Sequence, residues 1–346
     1  MRTHLRYLFF SLALVCIAGT GLAQQEIPQP PARLGKLTLD VVVSGKNGKP
    51  VAGMTQQDFT LLDNKEQRPI TSFRALDRTE PVKVILLVDA VNANYQNVSY
   101  VRQQLDTLLK SNGGKLDHPT QLAFFTDQGT QIQKDFTTDG NALSALLDQY
   151  EIGLRTIRRS AGFFGAEDRY QLSVTTLHQL VAAEQQQPGR KLVLWISPGW
   201  PLLSGPGIYL DGKEQEGVFH DVVEMSTGLH RSRMTLYAVD PLGAGQSVLS
   251  ATYYQTYEKG ISKAGQAEIA DTSLQVLAKQ SGGLVLTSNN DVASMLARCL
   301  DDTSAYYELT FDAAPADKAD EYHHIEIKVA TPGLTARTRD GYYAQP

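Results

Sequence analysis

Histidines, acids and cysteines are the side chains of this chain that could hold an ion, move a proton or attack a substrate, and their spacing argues against most such roles. His323 and His324 are neighbours in an alternating stretch, so their rings point to opposite faces of a strand and cannot chelate one ion; one is expected buried and the other exposed. His178 and Glu184 lie six residues apart on a helical pattern and fall on different faces. His220 and Glu224 stand at i and i+4 with Asp221 beside them, the spacing of a helical salt bridge. No G-x-S-x-G elbow, H-E-x-x-H pair or phosphate-binding loop is present. Cys299 falls in the apolar pattern Val292, Met295, Leu296, Leu300, where it reads as a small buried hydrophobe rather than a reactive thiol. Asn97-Val98-Ser99 matches a glycosylation acceptor but reads as a helix start, with Asn97 or Ser99 as its cap. The expectation is that the protein is not an enzyme; a hydrolase with an arrangement no motif reveals is the alternative.

The elements that must position any site begin with an export signal. Arg2 and Arg6 precede the apolar run Leu8 to Ala18, and small residues follow to Gly21 and Ala23, the charged, apolar, small order of a cleavable leader. That run is about eleven residues, against roughly twenty for a membrane-spanning helix. Residues 1–23 are therefore expected to be a signal peptide cut after Ala23, and the protein to be periplasmic or extracellular. Cys16 leaves with the signal, so Cys299 has no partner for an intrachain disulfide. No later stretch is apolar enough to cross a bilayer, and 42% hydrophobic with 20% charged residues is ordinary for a globular chain. A formal net charge of −5, more negative once Arg2 and Arg6 are gone, argues against nucleic acid as a partner.

Residues 24–33, with Pro28, Pro30 and Pro31 among glutamines, read as a linker. Residues 34–79 are predicted to be a β unit: Leu37, Leu39, Val41 and Val43 alternate before an Asn47-Gly48 turn, which predicts a hairpin, and Phe59 to Leu62 and Pro69 to Phe73 flank Asp63-Asn64-Lys65. The texture then changes. VKVILLV (residues 82–88) is a continuous apolar run ending in Asp89, as in a strand buried on both faces. Strands are predicted at 122–125, 191–196, 234–239 and 284–287, with helices through 98–109, 140–150, 169–184 and 267–279. The resulting domain, residues 80–302, is predicted as α/β with a doubly wound, mostly parallel sheet. The loop from Pro198 to Gly217 is longer than such connections need and is either a binding surface or a surface insertion. From 303 to 346 the chain returns to β texture, so the small β domain takes strands from both ends.

This order, with VSGKNGKPVAGMTQQDFTLLDNKEQRPITSF at the front and YYELTFDAA and HHIEIKVATPGLTARTRDGYYA at the end, resembles the von Willebrand factor A-related exported proteins of the acidobacterial type. The resemblance covers nearly the whole mature chain and implies a von Willebrand A-like fold with a crevice at the carboxyl ends of the strands, used in related domains to bind protein ligands through a divalent cation. Such a site, with the oxygen ligands a hard cation needs, takes a D-x-S-x-S after the first strand, a threonine from a second loop and an aspartate from a later one. Asp89 keeps the first position, but Val91 and Ala93 replace the serines and Ser197-Pro198-Gly199 stands where the later aspartate is expected. Thr137 or Thr138 would supply the threonine. An altered Mg²⁺ or Mn²⁺ site on Asp89, Asn92, Asn94 and Thr137 is one reading; the other is a crevice without cofactor, in which Asp89 accepts backbone N–H groups. On the second reading Asp89, Asn92, Asn94, Tyr95, Thr137, Ser197 and Trp200 line a ligand-binding surface, supplemented by Phe163, Phe164 and Tyr209, for a protein or a cell-surface polymer.

Overall fold

The computed structural model describes residues 35–149, 162–201, 203, 209–241, 252–287 and 291–346. The expected signal peptide and linker, Cys16 and the middle of the 198–217 loop lie outside the described residues. The chain runs β1 (Lys36–Ser44), β2 (Phe59–Asp63), β3 (Glu66–Arg68), β4 (Ile70–Asp77), β5 (Lys83–Asp89), α1 (Tyr95–Lys110), β6 (Lys115–Thr126), β7 (Gly129–Ile132), β8 (Thr137–Asp139), α2 (Gly140–Gln149) and α3 (Gly162–Glu184). It continues as β9 (Lys191–Ile196), α4 (Gly212–Arg231), β10 (Met234–Val239), α5 (Leu274–Gln280), β11 (Val285–Leu286), α6 (Val292–Leu300), β12 (Ala305–Asp312), β13 (Glu321–Val329), β14 (Thr335–Arg337) and β15 (Gly341–Ala344).

The apolar run that forms β5 is explained by what lies on each side of it. Val84, Leu86 and Val88 pack with Val101, Leu105 and Leu109 of α1 and Met295, Leu296 and Cys299 of α6. Ile85 and Leu87 point the other way, into Leu177 and Leu180 of α3, Met225 and Leu229 of α4 and Leu274 and Leu277 of α5. With two apolar faces to fill, alternation is impossible and the strand reads as continuous hydrophobe. The sheet order is β11-β10-β9-β5-β6-β7, with β8 also on β6. Pairs from β11 through β6 are parallel, and β7 and β8 are antiparallel to β6. The fold is therefore α/β, doubly wound and mostly parallel. The order turns at β5, whose successor β6 lies on one side and β9 on the other, so the carboxyl ends of β5 and β9 meet at the switch point where such sheets form a crevice.

The remaining strands make two four-stranded antiparallel sheets, β14-β1-β12-β4 and β15-β13-β2-β3, sharing one core of Leu39, Val41, Leu61, Leu309, Phe311 and Ile325 among others. Both sheets join residues from the start of the chain to residues from its end. Between them His323 is buried with its Nδ1 2.8 Å from Asp63, whose other oxygen accepts from the Tyr342 hydroxyl at 2.8 Å. His324 is exposed, as the alternation requires.

Three sequence expectations are corrected. The Asn47-Gly48 turn leads back only to an isolated bridge between Ser44 and Pro50, and β1 pairs with β12 and β14, because its buried side chains need the sandwich core rather than a local partner. The helix expected over 267–279 is broken at Ser273, whose extended backbone (ψ 152°) separates a short 3-10 turn from α5. Helix α1 is capped by Asn94, which accepts from the Asn97 N–H at 2.8 Å, and not by Asn97 or Ser99. Cys299 is buried, and its thiol is pushed up in pKa, first by desolvation and then by Asp302.

Candidate functional site

The carboxyl end of β5 delivers Asp89 into the crevice. Two backbone N–H groups of the following turn, Val91 at 2.9 Å and Asn92 at 2.8 Å, bond its Oδ1. Its Oδ2 accepts from Asn92 Nδ2 (2.9 Å), Ser197 Oγ (2.8 Å) and Trp195 Nε1 (3.2 Å). Five donors fill the roughly four lone-pair sites a carboxylate offers. Burial pushes the Asp89 pKa up, while the bonds from Asn92, Ser197 and Trp195 act in the opposite direction.

The supporting shell comes from elements far apart in sequence. Asn92 Nδ2 also reaches Ser173 Oγ of α3 at 2.9 Å, and Ser173 in turn donates to the Arg169 carbonyl at 2.7 Å. Ser197 Oγ accepts from the Gly199 N–H at 3.1 Å, a turn that needs Gly199 at φ 99°. A side chain there would also strike the Gln275 amide. The indole of Trp200 packs edge-on against Trp195, with centroids 5.3 Å apart, and is buried. Ser173 and Trp195 were not singled out in the sequence. Trp195 sits inside an apolar strand where it reads as core, and nothing local to Ser173 marks it.

Asp89, Asn92, Ser197 and Trp200 are thus brought together, and all four are buried. Asn94 is spent as the α1 cap and Tyr95 is exposed beside it. Thr137 does not join them. Thr137 pairs with Thr120 and Thr120 with Val84, whereas Asp89 pairs with Phe125, five residues further along the strands. At about 3.3 Å per residue that is on the order of 16 Å away, at the amino end of the sheet. Its hydroxyl accepts from the Asp139 N–H at 3.0 Å instead.

A divalent cation of the kind the resemblance implies does not fit these residues. Both Asp89 oxygens are taken by neutral donors, the amide nitrogen of Asn92 faces the carboxylate, Asn94 Oδ1 is committed to the helix, and Thr137 is out of reach. Among the described residues no group of three His, Cys, Asp or Glu converges. His220 and Glu224 form the exposed helical pair read from their spacing, at 3.4 Å.

Tyr95, Tyr100, Phe163, Phe164 and Tyr209 are the exposed large hydrophobic side chains among the described residues, between 36% and 88% exposed. Tyr95 opens α1 and Tyr100 follows in its second turn, Phe163 and Phe164 lie in the first turn of α3, and Tyr209 stands shortly before α4. Phe163 and Phe164 meet edge to face, with ring centroids 6.1 Å apart.

No protein-family model matches the chain, and no curated protein matches it. Among solved structures, it is similar to a von Willebrand factor type A protein from Catenulispora acidiphila (10% identity, 89% of this chain and 75% of that one, TM-score 0.38). It is also similar to the VWA domain of SpRpn10 (10% identity, 65% and 97%, TM-score 0.31) and to manganese-loaded TRAP protein of Plasmodium vivax (9% identity, 78% and 96%, TM-score 0.34). The doubly wound, mostly parallel architecture that the resemblance implied is seen in this chain's own strand order. With every TM-score below 0.5, any functional reading has to come from this chain's own residues.

Proposed function

We propose that the protein is an exported, non-catalytic binding module that holds a protein or surface polymer at the carboxyl edge of its α/β sheet without a metal ion. The observation that carries this reading is the set of five exposed large aromatic side chains, which on this reading form a rim over the crevice, above an Asp89 carboxylate whose oxygens are already bonded by neutral donors. Aromatic side chains are enriched in interface hot spots, and an apolar patch rimmed by polar residues marks such a surface. The Asp89 cluster on this reading shapes the loops and contacts no ligand. An acidic chain with tyrosines at its rim suits an uncharged or basic partner surface.

The test is retention of material from the native envelope fraction by the immobilised protein and by the double variant Tyr95→Ser/Phe164→Ser, which removes only exposed groups and should melt at the same temperature. Retention that is lost in the variant and unchanged by EDTA is the expected result. Retention abolished by EDTA would show the metal-dependent alternative. Turnover of generic ester or peptide substrates, lost on changing one crevice residue, would show a hydrolase.

A further inference from the structure

A second concavity lies at the opposite end of the sheet. Its volume is about 250 Å³, and it opens between the end of α1, the start of β6 and the end of α6. Val84 and Leu86 of β5, Leu108 of α1, Leu116 of β6 and Leu300 of α6 give it apolar walls. An apolar cavity of about 150 Å³ takes up benzene, so this one accommodates a substituted ring or a chain of roughly eight carbons.

Its polar side is built and charged. Thr303 Oγ donates to the Leu300 carbonyl at 2.7 Å, so its one proton is spent. The bond of 2.7 Å between Thr303 Oγ and His118 Nε2 then requires the proton on Nε2, which fixes the buried imidazole against the cavity wall. Around the mouth stand Arg78, Lys115, Asp117 and Asp301. Lys49 takes the charge of Asp301 at 3.0 Å, and neither Arg78 nor Lys115 forms an ion pair among the described residues. Counting Lys49, three cations face two carboxylates, and the mouth carries one net positive charge on a chain that is acidic as a whole.

We propose that this cavity binds a small amphipathic anion, a medium-length fatty acid or an aromatic carboxylate, with the hydrocarbon between α1 and α6 and the carboxylate at Arg78 and Lys115. Guanidinium suits a carboxylate through its two parallel donors, and the apolar walls take the hydrocarbon out of water. The proposal is independent of the rim at the other end of the sheet.

Octanoate and 1-octanol, titrated into the whole protein at constant ionic strength and followed by calorimetry and melting temperature, test it. Octanoate should bind at one saturable site and raise the melting temperature. Octanol should bind at least about tenfold more weakly, and Arg78→Gln/Lys115→Gln should cost octanoate about tenfold while leaving octanol unchanged. Leu116→Trp, which fills the cavity, should abolish both; if it does not fold, Ala297→Phe at the exposed lip serves the same end. Equal affinity for the acid and the alcohol, no effect of the charge variant, or binding that survives the filled cavity would each overturn the proposal.

Discussion

Two buried aspartates attached to the same sheet are stabilised by opposite means. Asp89, at the carboxyl edge, is surrounded by neutral donors: backbone amides, an amide side chain, a hydroxyl and an indole. Asp302, where α6 passes into the sandwich, is met by charge. The guanidiniums of Arg337 and Arg298 reach its carboxylate, the Tyr237 hydroxyl donates to it at 2.7 Å, and Arg190 bonds its carbonyl at 3.0 Å. Asp302 ties three parts of the chain together, because Arg337 belongs to β14 of the sandwich and Tyr237 to β10 of the central sheet. The aspartate that stands where a cation is expected is held by dipoles, and the one that no motif marks is the ionic clamp.

Substitution should separate the two cases. Asp302→Ala leaves the Arg337 guanidinium without its counter-charge and should lower unfolding free energy by about 3 kcal/mol or more in denaturant titrations. Asp89→Asn keeps the shape but turns an N–H toward Asn92 Nδ2 and Trp195 Nε1. Ser197 can rotate to accept, so the loss should be smaller, about 1–3 kcal/mol. If millimolar Mg²⁺ raises the melting temperature of the native chain and not of Asp89→Asn, the contrast between dipole-held and charge-held carboxylates fails.

Asp340 gives the most easily graded effect. Burial pushes its pKa up to about 7, against the Tyr322 hydroxyl bond of 3.1 Å and the neighbouring Arg339, which favour the charged form. Between an unfolded value near 4 and the folded value, the native state holds a proton that the unfolded chain has lost. Stability should therefore fall as pH rises from about 4 to about 7 and level off above it, by up to about 4 kcal/mol. Asp340→Asn should flatten that slope, and an unchanged slope would assign the dependence to other groups.

The parts of the fold governed by local pattern were legible in the sequence. The VKVILLV run is continuous because two helical layers cover it, and the buried and exposed rings of His323 and His324 follow from strand alternation. The partners of β1 were not legible: the turn after it resembles a hairpin turn, and only the sandwich core, assembled from the far end of the chain, outweighs it. The site was half legible. Asp89 and Ser197 stand at predicted strand ends. Thr137 was misplaced because β6 extends over twelve residues and the antiparallel β7 and β8 carry the chain back toward its amino end. Ser173 bonds Asn92 across 81 residues and Trp195 bonds Asp89 across 106, distances at which spacing carries no signal. Trp200 was read as part of the ligand-binding surface but is buried on Trp195, whereas Tyr95, Phe163, Phe164 and Tyr209 are exposed.

The pairing of Asp63 with His323 has a consequence in time. The two residues are 260 apart, so at roughly 5–20 residues per second a ribosome needs on the order of 13–50 s to deliver the second after the first. Until then β1 and β2 have no ladder partners from the far end, and a strand left with unpaired edges invites neighbouring chains. The α/β unit, whose strands and helices alternate locally, can order while the ends wait. The sandwich is the last part to close, and a chain truncated before Tyr342 should leave it open however well the inserted domain has folded.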